Sequence, residues 1–173
     1  LQCDVGQSTS FPPAKLLVGT ILAPDCSWDE VEPLLRESLG EPDFVSLELP
    51  FAYTDYYYRE MGEPLRRRFA TIAGLWASDL LPEAKMTTNR LEGSGPRRFN
   101  LDPGLLTLHS LILASTKPHA HRIPLHSGIY AEVTLIYRDG GFQALPWAYP
   151  DYASDEYQRI LLEIRENLKT ELK

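Results

Sequence analysis

The pattern of apolar and polar positions divides the chain into helices interspersed with strands. Residues 15–22, KLLVGTIL, form a continuous apolar run rich in aliphatics between Pro12-Pro13 and Ala23-Pro24, the signature of a buried central strand. SWDE follows, with Ser27 and Glu30 at capping-box spacing. Val31, Leu34, Leu35 and Leu39 then repeat at helical spacing and Gly40 closes the helix, although Pro33 removes one donor inside it. Residues 43–50 alternate, with Val45, Leu47 and Leu49 on one face, and predict a half-buried strand. Residues 66–73 predict another. A helix is expected within SDLLPEAKMTTNRLEG, with Pro82 near its start and Gly93 just past its end.

The chain then reads as a short strand, RRFNL, followed by a helix. Asp102 as N-cap and Pro103 at the first helical position predict a helix to about Thr116, with Leu105, Leu108, Leu111 and Ile112 on one side. HRIPL, IYAEVTLIY and GFQALP predict a three-strand meander, its second turn set by Asp139-Gly140. Facing Leu125 to Ile129 places Arg122 opposite Glu132. One face then carries His121, Ile123, Leu125, Ile129, Ala131, Val133 and Leu135. The other carries Arg122, Tyr130, Glu132 and Thr134. From Ser154 the stripe Tyr157, Ile160, Leu161, Ile164, Leu168 and Leu172 predicts an amphipathic helix. The expected fold is a single α+β domain over residues 15–173. A mostly antiparallel sheet carries helices packed on it, the first half ferredoxin-like, the meander followed by the last helix, and residues 1–14 forming a flexible leader.

Composition narrows the function classes. The chain has 173 residues and a net charge of −7, so phosphate backbones and anionic lipid heads are repelled in bulk. Nucleic acid and membrane are therefore not expected as partners, and no run approaches the length of a membrane helix. Cys3 and Cys26 make no disulfide framework, which points to a reduced, cytoplasmic protein.

The motifs PFAYTDYYYREMG, TTNRLE, NLDPGLLTLHSLILASTK and HRIPL…GIYAEVTLIYRDGGFQALPWAYPDY resemble, in that order, DUF4416, a prokaryotic domain of unknown function. The resemblance runs from about Lys15 to the end. It departs from the family pattern at Leu105, where tyrosine is common, and at His109, where lysine is commoner. It implies small single-domain proteins and carries no activity or cofactor. Some members are labelled GTP-binding, but this sequence has no G-x-x-x-x-G-K-[ST].

Candidate chemistry is scattered. His119 and His121, with His109 and His126 nearby, suggest either a metal-dependent hydrolase or a buried, hydrogen-bonded His121. Arg122 opposite Glu132 is either a cross-strand ion pair or the charged floor of a cleft. Arg66, Arg67 and Arg68 read first as a solvated edge strand, Arg67 pointing away from the other two. Asp102 reads first as a cap and Asp151 as a pre-helix turn residue. Tyr53, Tyr56, Tyr57 and Tyr58 cannot all point one way, so part of FAYTDYYYREMG packs and part faces a pocket. The leading expectation is an anionic small molecule, a nucleotide or sugar phosphate. Arg68, Lys85, Asn89 and Arg122 would hold the anion, Asp55, Tyr56 and Tyr57 would supply polar or stacking contacts, and Glu132 and His121 would serve as acid and base if a reaction occurs. The alternative is a protein-interaction module built on the exposed tyrosines and PWAYPDY. The sequence leaves cofactor, reaction and oligomeric state open.

Overall fold

The computed structural model describes residues 9–173. Among them run β1 (Lys15–Leu22), α1 (Trp28–Ser38), β2 (Pro42–Val45), β3 (Leu49–Phe51), α2 (Tyr58–Met61), β4 (Leu65–Ile72), α3 (Leu81–Glu92), β5 (Phe99–Leu106), β6 (Ser110–Ser115), β7 (Ile123–Pro124), β8 (Tyr130–Arg138), β9 (Gly141–Ala144) and α4 (Asp155–Glu171). Short 3-10 turns precede α3 and α4, at Ser78–Leu80 and Pro150–Ala153. Cys3 and the first part of the expected leader lie outside the described residues. Ala14, its last residue, is buried and bridges to Trp76. Cys26 is a buried free thiol.

The strands form one antiparallel sheet in the order β2-β4-β1-β5-β6-β8-β7, with β3 on β4 and β9 on β8. The path β1-α1-β2-β4-α3-β5 gives the βαββαβ connectivity of a ferredoxin-like half, and β6 to β9 extend the sheet beyond β5. Every described residue of β1 is buried, as its aliphatic run demands. Leu16 and Val18 pack on the face covered by α1 and α3. Leu17 packs on the opposite face, with Phe69, Leu111 and Leu135 beneath Tyr157, Leu161, Ile164 and Leu168 of α4. The result is a three-layer α/β/α domain with α4 alone on its side of the sheet.

The capping box at Ser27 and Glu30 forms, and Ser154 caps α4 by accepting from the Tyr157 N–H. Pro33 is accommodated within α1. The Asp139-Gly140 turn also forms, with φ of 53° and 86°, the two positive values that a tight hairpin needs.

Three expectations change. The expected strand over 43–50 splits into β2 and β3. Ser46 breaks it by taking the Phe69 N–H on its side chain while its own N–H reaches the Phe69 carbonyl, and Leu47 turns out to solvent, 84% exposed. The helix expected from Asp102 to Thr116 is two strands, β5 and β6, with Asp102 and Pro103 in the middle of β5. The near-continuous apolar run that suggested a buried helix is what strands covered on both faces also require. In the meander, Ile123 pairs Ala131 as the register predicts. A bulge then leaves Thr134 unpaired between Val133, opposite Ile112, and Leu135, opposite Leu111. An extra residue reverses the alternation, so Leu135 joins the α4 face while Ile129 and Ala131 stay on the α3 face. The face expected to be polar is buried at Glu132 and Thr134.

At Gly104, β5 lies against β6 so closely that an added Cβ would sit 2.8 Å from both the Ile112 carbonyl oxygen and Leu113 Cδ2. Backbone cannot yield as a flexible side chain does. Gly104→Ala is therefore expected to destabilise the protein by about 1–3 kcal/mol. A shift of the urea midpoint at unchanged slope measures it, and an unchanged midpoint contradicts the close packing.

Candidate functional site

The site arises where two strands part. β5 pairs with β1 along its whole length, from Phe99 to Leu106, but with β6 only from Gly104 to Leu106. The first half of β5 therefore turns backbone groups toward an open seam. Two of them are satisfied by side chains of α3: the Leu101 N–H donates to Glu92 Oε1 at 2.7 Å, and Lys85 Nζ donates to the Leu101 carbonyl at 3.0 Å. Pro103, two residues on, points its missing donor to the same side, where no strand asks for it.

A cavity of about 210 Å³ fills this seam. Lys85, Asn89 and Glu92 of α3 reach it from one face of the sheet. Arg67 of β4 and Asp151 and Tyr152 of the turn before α4 close its inner end. Ser115, Lys117, Arg122 and Glu132 form the far wall, and Tyr56, Tyr57 and Tyr149 stand around the rest. Lys117 Nζ donates to the Tyr56 hydroxyl at 3.1 Å and lies over the Tyr56 ring, joining the β6–β7 loop to the tyrosine segment.

Arg67 anchors the inner end. Its side chain is 3% exposed, with Nη2 donating to Asp151 Oδ2 at 3.1 Å and Nε donating to the Tyr157 hydroxyl at 3.0 Å. Its guanidinium also lies over the Phe51 ring. Nη1 has no hydrogen-bond partner among the described residues, and neither has the Tyr152 hydroxyl. The space comes from Gly19. Gly19 stands between Phe69 and Asp102 in register, and a Cβ there would meet Arg67 Nη1 at 3.1 Å. Burial works against the charge, but Tyr157, Tyr152, Asp102 and Asp151 more than offset it, so the Arg67 pKa is raised. Burial pushes the Asp151 carboxyl up, while Arg67 pulls against that shift. Burial likewise raises Glu92, against the Leu101 N–H and Lys85.

The far wall is a second ion-pair cluster. Arg122 Nε donates to Glu132 Oε2 at 2.7 Å, and its Nη1 donates to Ser115 Oγ and to the Lys117 carbonyl. His121 Nε2 lies 2.9 Å from the same Glu132 oxygen, and its ring stacks on Trp147.

The structure thus brings together Lys85, Asn89, Arg122, Glu132, Tyr56 and Tyr57, six of the nine side chains singled out in the sequence. Three lie elsewhere. Arg68 points to the α1 face, near Glu48 and over Trp28. Asp55 is exposed and uses its carbonyl to accept the Tyr58 N–H. His121 does not line the cavity and touches it only through Glu132. It also leaves the apolar face expected of it, because a turn rather than a strand carries it. His119 stacks on His121, but among the described residues no group of three or more His, Cys, Asp or Glu is arranged to hold a metal.

Arg66, Arg67 and Arg68 are not on an edge strand: β4 lies between β2 and β1. Asp102 is no cap. It lines the cavity, with Lys85 Nζ and Arg67 Nη1 each 3.7 Å from one of its oxygens. Sequence reasoning read Arg67 and Arg97 first as solvated basic patches and Tyr149 as part of an exposed aromatic patch, and it passed over Lys117. For Arg67 a signal existed: it alternates with Leu65 and Phe69, which places it on a buried face.

These features define a single-domain α+β protein with a charged, partly open cavity at a break in its sheet. The family model described as Domain of unknown function (DUF4416) matches residues 12–168, and the chain belongs to that family. No curated protein and no solved structure matches it. No described helix is long and apolar enough to cross a membrane.

Two predictions follow from this geometry. Arg67→Met leaves Asp151 buried without its counter-charge and is expected to cost about 3–5 kcal/mol. Replacing both, as Arg67→Met with Asp151→Leu, is expected to recover part of that loss, and chemical denaturation of the two variants measures the difference. The second concerns alkaline pH. Burial raises the Tyr157 hydroxyl from 10.0 to about 12 and raises Tyr57 and Tyr152 as well. Between these values the unfolded chain has released protons that the folded protein retains, so stability falls as pH rises. Urea midpoints are expected to hold up to about pH 10, the ordinary tyrosine value, and to drop between there and about 12. A flat profile across that window would contradict the burial of the three phenols.

Proposed function

We propose that the cavity binds a small anionic molecule, a nucleotide or sugar phosphate, in the open seam of the sheet. One observation carries the reading. In a chain of net charge −7, five cationic side chains line one cavity against four carboxylates. Arg67, Lys85, Arg97, Lys117 and Arg122 leave the lining with one positive charge in excess inside an acidic protein, with Lys117 the cation that has no carboxylate partner among the described residues. Arg122 fixes Nε and Nη1 on protein groups, while its Nη2 makes no hydrogen bond among the described residues. A guanidinium held in this way presents a donor in fixed orientation, which suits phosphate or carboxylate. Lys117 adds a second cation at the mouth. Tyr56, Tyr57 and Tyr149 offer rings against which a base or a sugar would pack.

Tyr53, Tyr56 and Tyr149, exposed aromatics that a docking patch would use, are walls of this cavity. That placement favours a small ligand over a partner protein. A reaction on the bound molecule would draw on Glu132, backed by His121 at 2.9 Å.

The test is a thermal-shift screen of the purified protein against nucleotides, sugar phosphates and carboxylates. A ligand at about a hundred times its dissociation constant adds about 2.7 kcal/mol, which for this length is roughly 5–10 °C. Arg122→Lys keeps a positive charge beside Glu132 but loses the planar fork and its bonds to Ser115 and the Lys117 carbonyl. It is expected to lower basal stability by about 1 kcal/mol or more and, against that lowered baseline, to weaken binding about tenfold. No shift with any phosphorylated or carboxylated compound would defeat the proposal.

A further inference from the structure

We infer that the ligand of this cavity carries hydroxyl groups as well as its anion, and that Asp102 receives them. The inference rests on the anion-binding reading and adds a second recognition group to it.

Asp102 is the exposed member of its charge cluster. Its side chain is 29% exposed, against 3% for Arg67 and 9% for Lys85. One oxygen, Oδ2, accepts from Asn100 Nδ2 at 2.9 Å. The other, Oδ1, makes no hydrogen bond among the described residues, and Lys85 Nζ stands 3.7 Å away, beyond bonding reach. Lys85 is committed instead to the Leu101 carbonyl. A carboxylate in a cavity wall is therefore left with an open acceptor.

Register places it relative to the cations. β5 pairs Gly104 with Leu113. Continued two residues along both strands, that antiparallel ladder would set Asp102 opposite Ser115. The strands have parted there, and Ser115 instead receives Arg122 Nη1 at 2.7 Å. Asp102 and Arg122 thus belong to opposing walls of one seam. An anionic group is drawn to the Arg122 and Lys117 wall and finds no hydrogen-bond donor on Asp102. Whatever the ligand presents to Asp102 must donate a hydrogen bond, because an ionised carboxylate only accepts.

The donor's chemistry is constrained further. An ammonium would come within the field of Lys85 and Arg67, each already 3.7 Å from the carboxylate, and like charges at that range repel. A neutral hydroxyl meets no such opposition and gains a charge-assisted bond. The class that fits is a polyhydroxylated anion, such as a sugar or polyol phosphate. Simple anions and amine-bearing anions fit less well.

Isothermal titration with three small probes separates the cases: methyl phosphate, an anion without a free donor; glycerol 3-phosphate, with two hydroxyls; and phosphoethanolamine, with an ammonium. The wild-type protein is expected to bind glycerol 3-phosphate at least about tenfold more tightly than methyl phosphate, the factor that ~1.4 kcal/mol corresponds to. Asp102→Asn keeps the size of the side chain and removes its charge. It is expected to reduce that ratio to about threefold or less while leaving methyl phosphate binding equal or stronger, because a charge-assisted bond is worth roughly twice a neutral one. Equal wild-type affinity for methyl phosphate and glycerol 3-phosphate, or a ratio unchanged in Asp102→Asn, overturns the role of Asp102 and leaves the anion reading standing. Preference for phosphoethanolamine overturns the hydroxyl class. Binding of none of the three overturns this inference, and the anion reading falls with it only if the nucleotides, sugar phosphates and carboxylates of the thermal-shift screen also give no shift. The ranking of the probes on wild-type protein decides the class even if the variant does not fold.

Discussion

Arg67 is a charge in the middle of a hydrophobic core, and the arrangement around it follows from that. Moving a guanidinium out of water costs several kcal/mol unless its charge and donors are met. Asp151 meets the charge, the Tyr157 hydroxyl takes one donor, and Phe51 offers its ring face. Each partner comes from a different part of the chain. Phe51 is in β3, Asp151 is in the turn before α4, and Tyr157 is in the first turns of α4. The guanidinium therefore ties the start of α4, which Ser154 caps, to β3 and β4. Gly19 on the neighbouring strand is the complementary requirement, since a Cβ there would stand 3.1 Å from Nη1 and crowd it. A glycine in an otherwise aliphatic central strand weakens it, and the ion pair gives that weakness a reason.

The open seam is the second half of the same construction. A sheet that stops pairing inside a protein leaves backbone groups that must find partners. Here α3 supplies them through Lys85 and Glu92, both mostly buried. The side chains that satisfy the seam are charged and also face the cavity, so one set of residues closes the fold and charges the site. Arg97 extends the set, bonding Glu92, Glu60 and Asn100. It also lies beside the Tyr57 ring and ties the tyrosine segment to the seam. The stretch FAYTDYYYREMG is accordingly both packing and wall: Met61 is buried, Tyr56 and Tyr57 line the cavity, and Tyr57 packs on Phe51.

Much of the fold was legible in the sequence because period and punctuation agree there. α1 and α4 each carry a clear helical period behind a cap, β1 is a continuous apolar run between prolines, α3 is bounded by proline and glycine, and β8 alternates as far as its bulge. The β5–β6 pair was not legible. Asp102-Pro103 imitates a helix start, and a strand interior tolerates proline only when its N–H side is unpaired. That condition depends on the seam, which is a tertiary fact. The bulge at Thr134 is equally invisible, because no local composition marks it and it reverses the alternation on which the face assignment rests. Lys85, Asn89, Arg122 and Glu132 were legible as polar groups on elements of known period. Asp102 was hidden by the wrong element. Arg67 was hidden by the expectation that three successive arginines are solvated, though Leu65 and Phe69 on either side argued for burial.

The paired charges bear on how the cavity can act. A pocket lined only by cations would repel itself when empty and would be destabilised until filled. Here the cations on the inner end and the two walls have carboxylates within 4 Å, so the empty cavity is close to neutral at short range. The same carboxylates hold the cations in fixed geometry, as Glu132 does for Arg122 and Asp151 for Arg67. A ligand anion that enters need not order these side chains, and the entropy that binding would otherwise cost is lost at folding instead. The energy of the ion pairs, small or unfavourable for stability when buried, thus serves orientation. On the proposed reading, that is the use of nine charged side chains around one cavity in a chain with enough aliphatic residues to build an ordinary core.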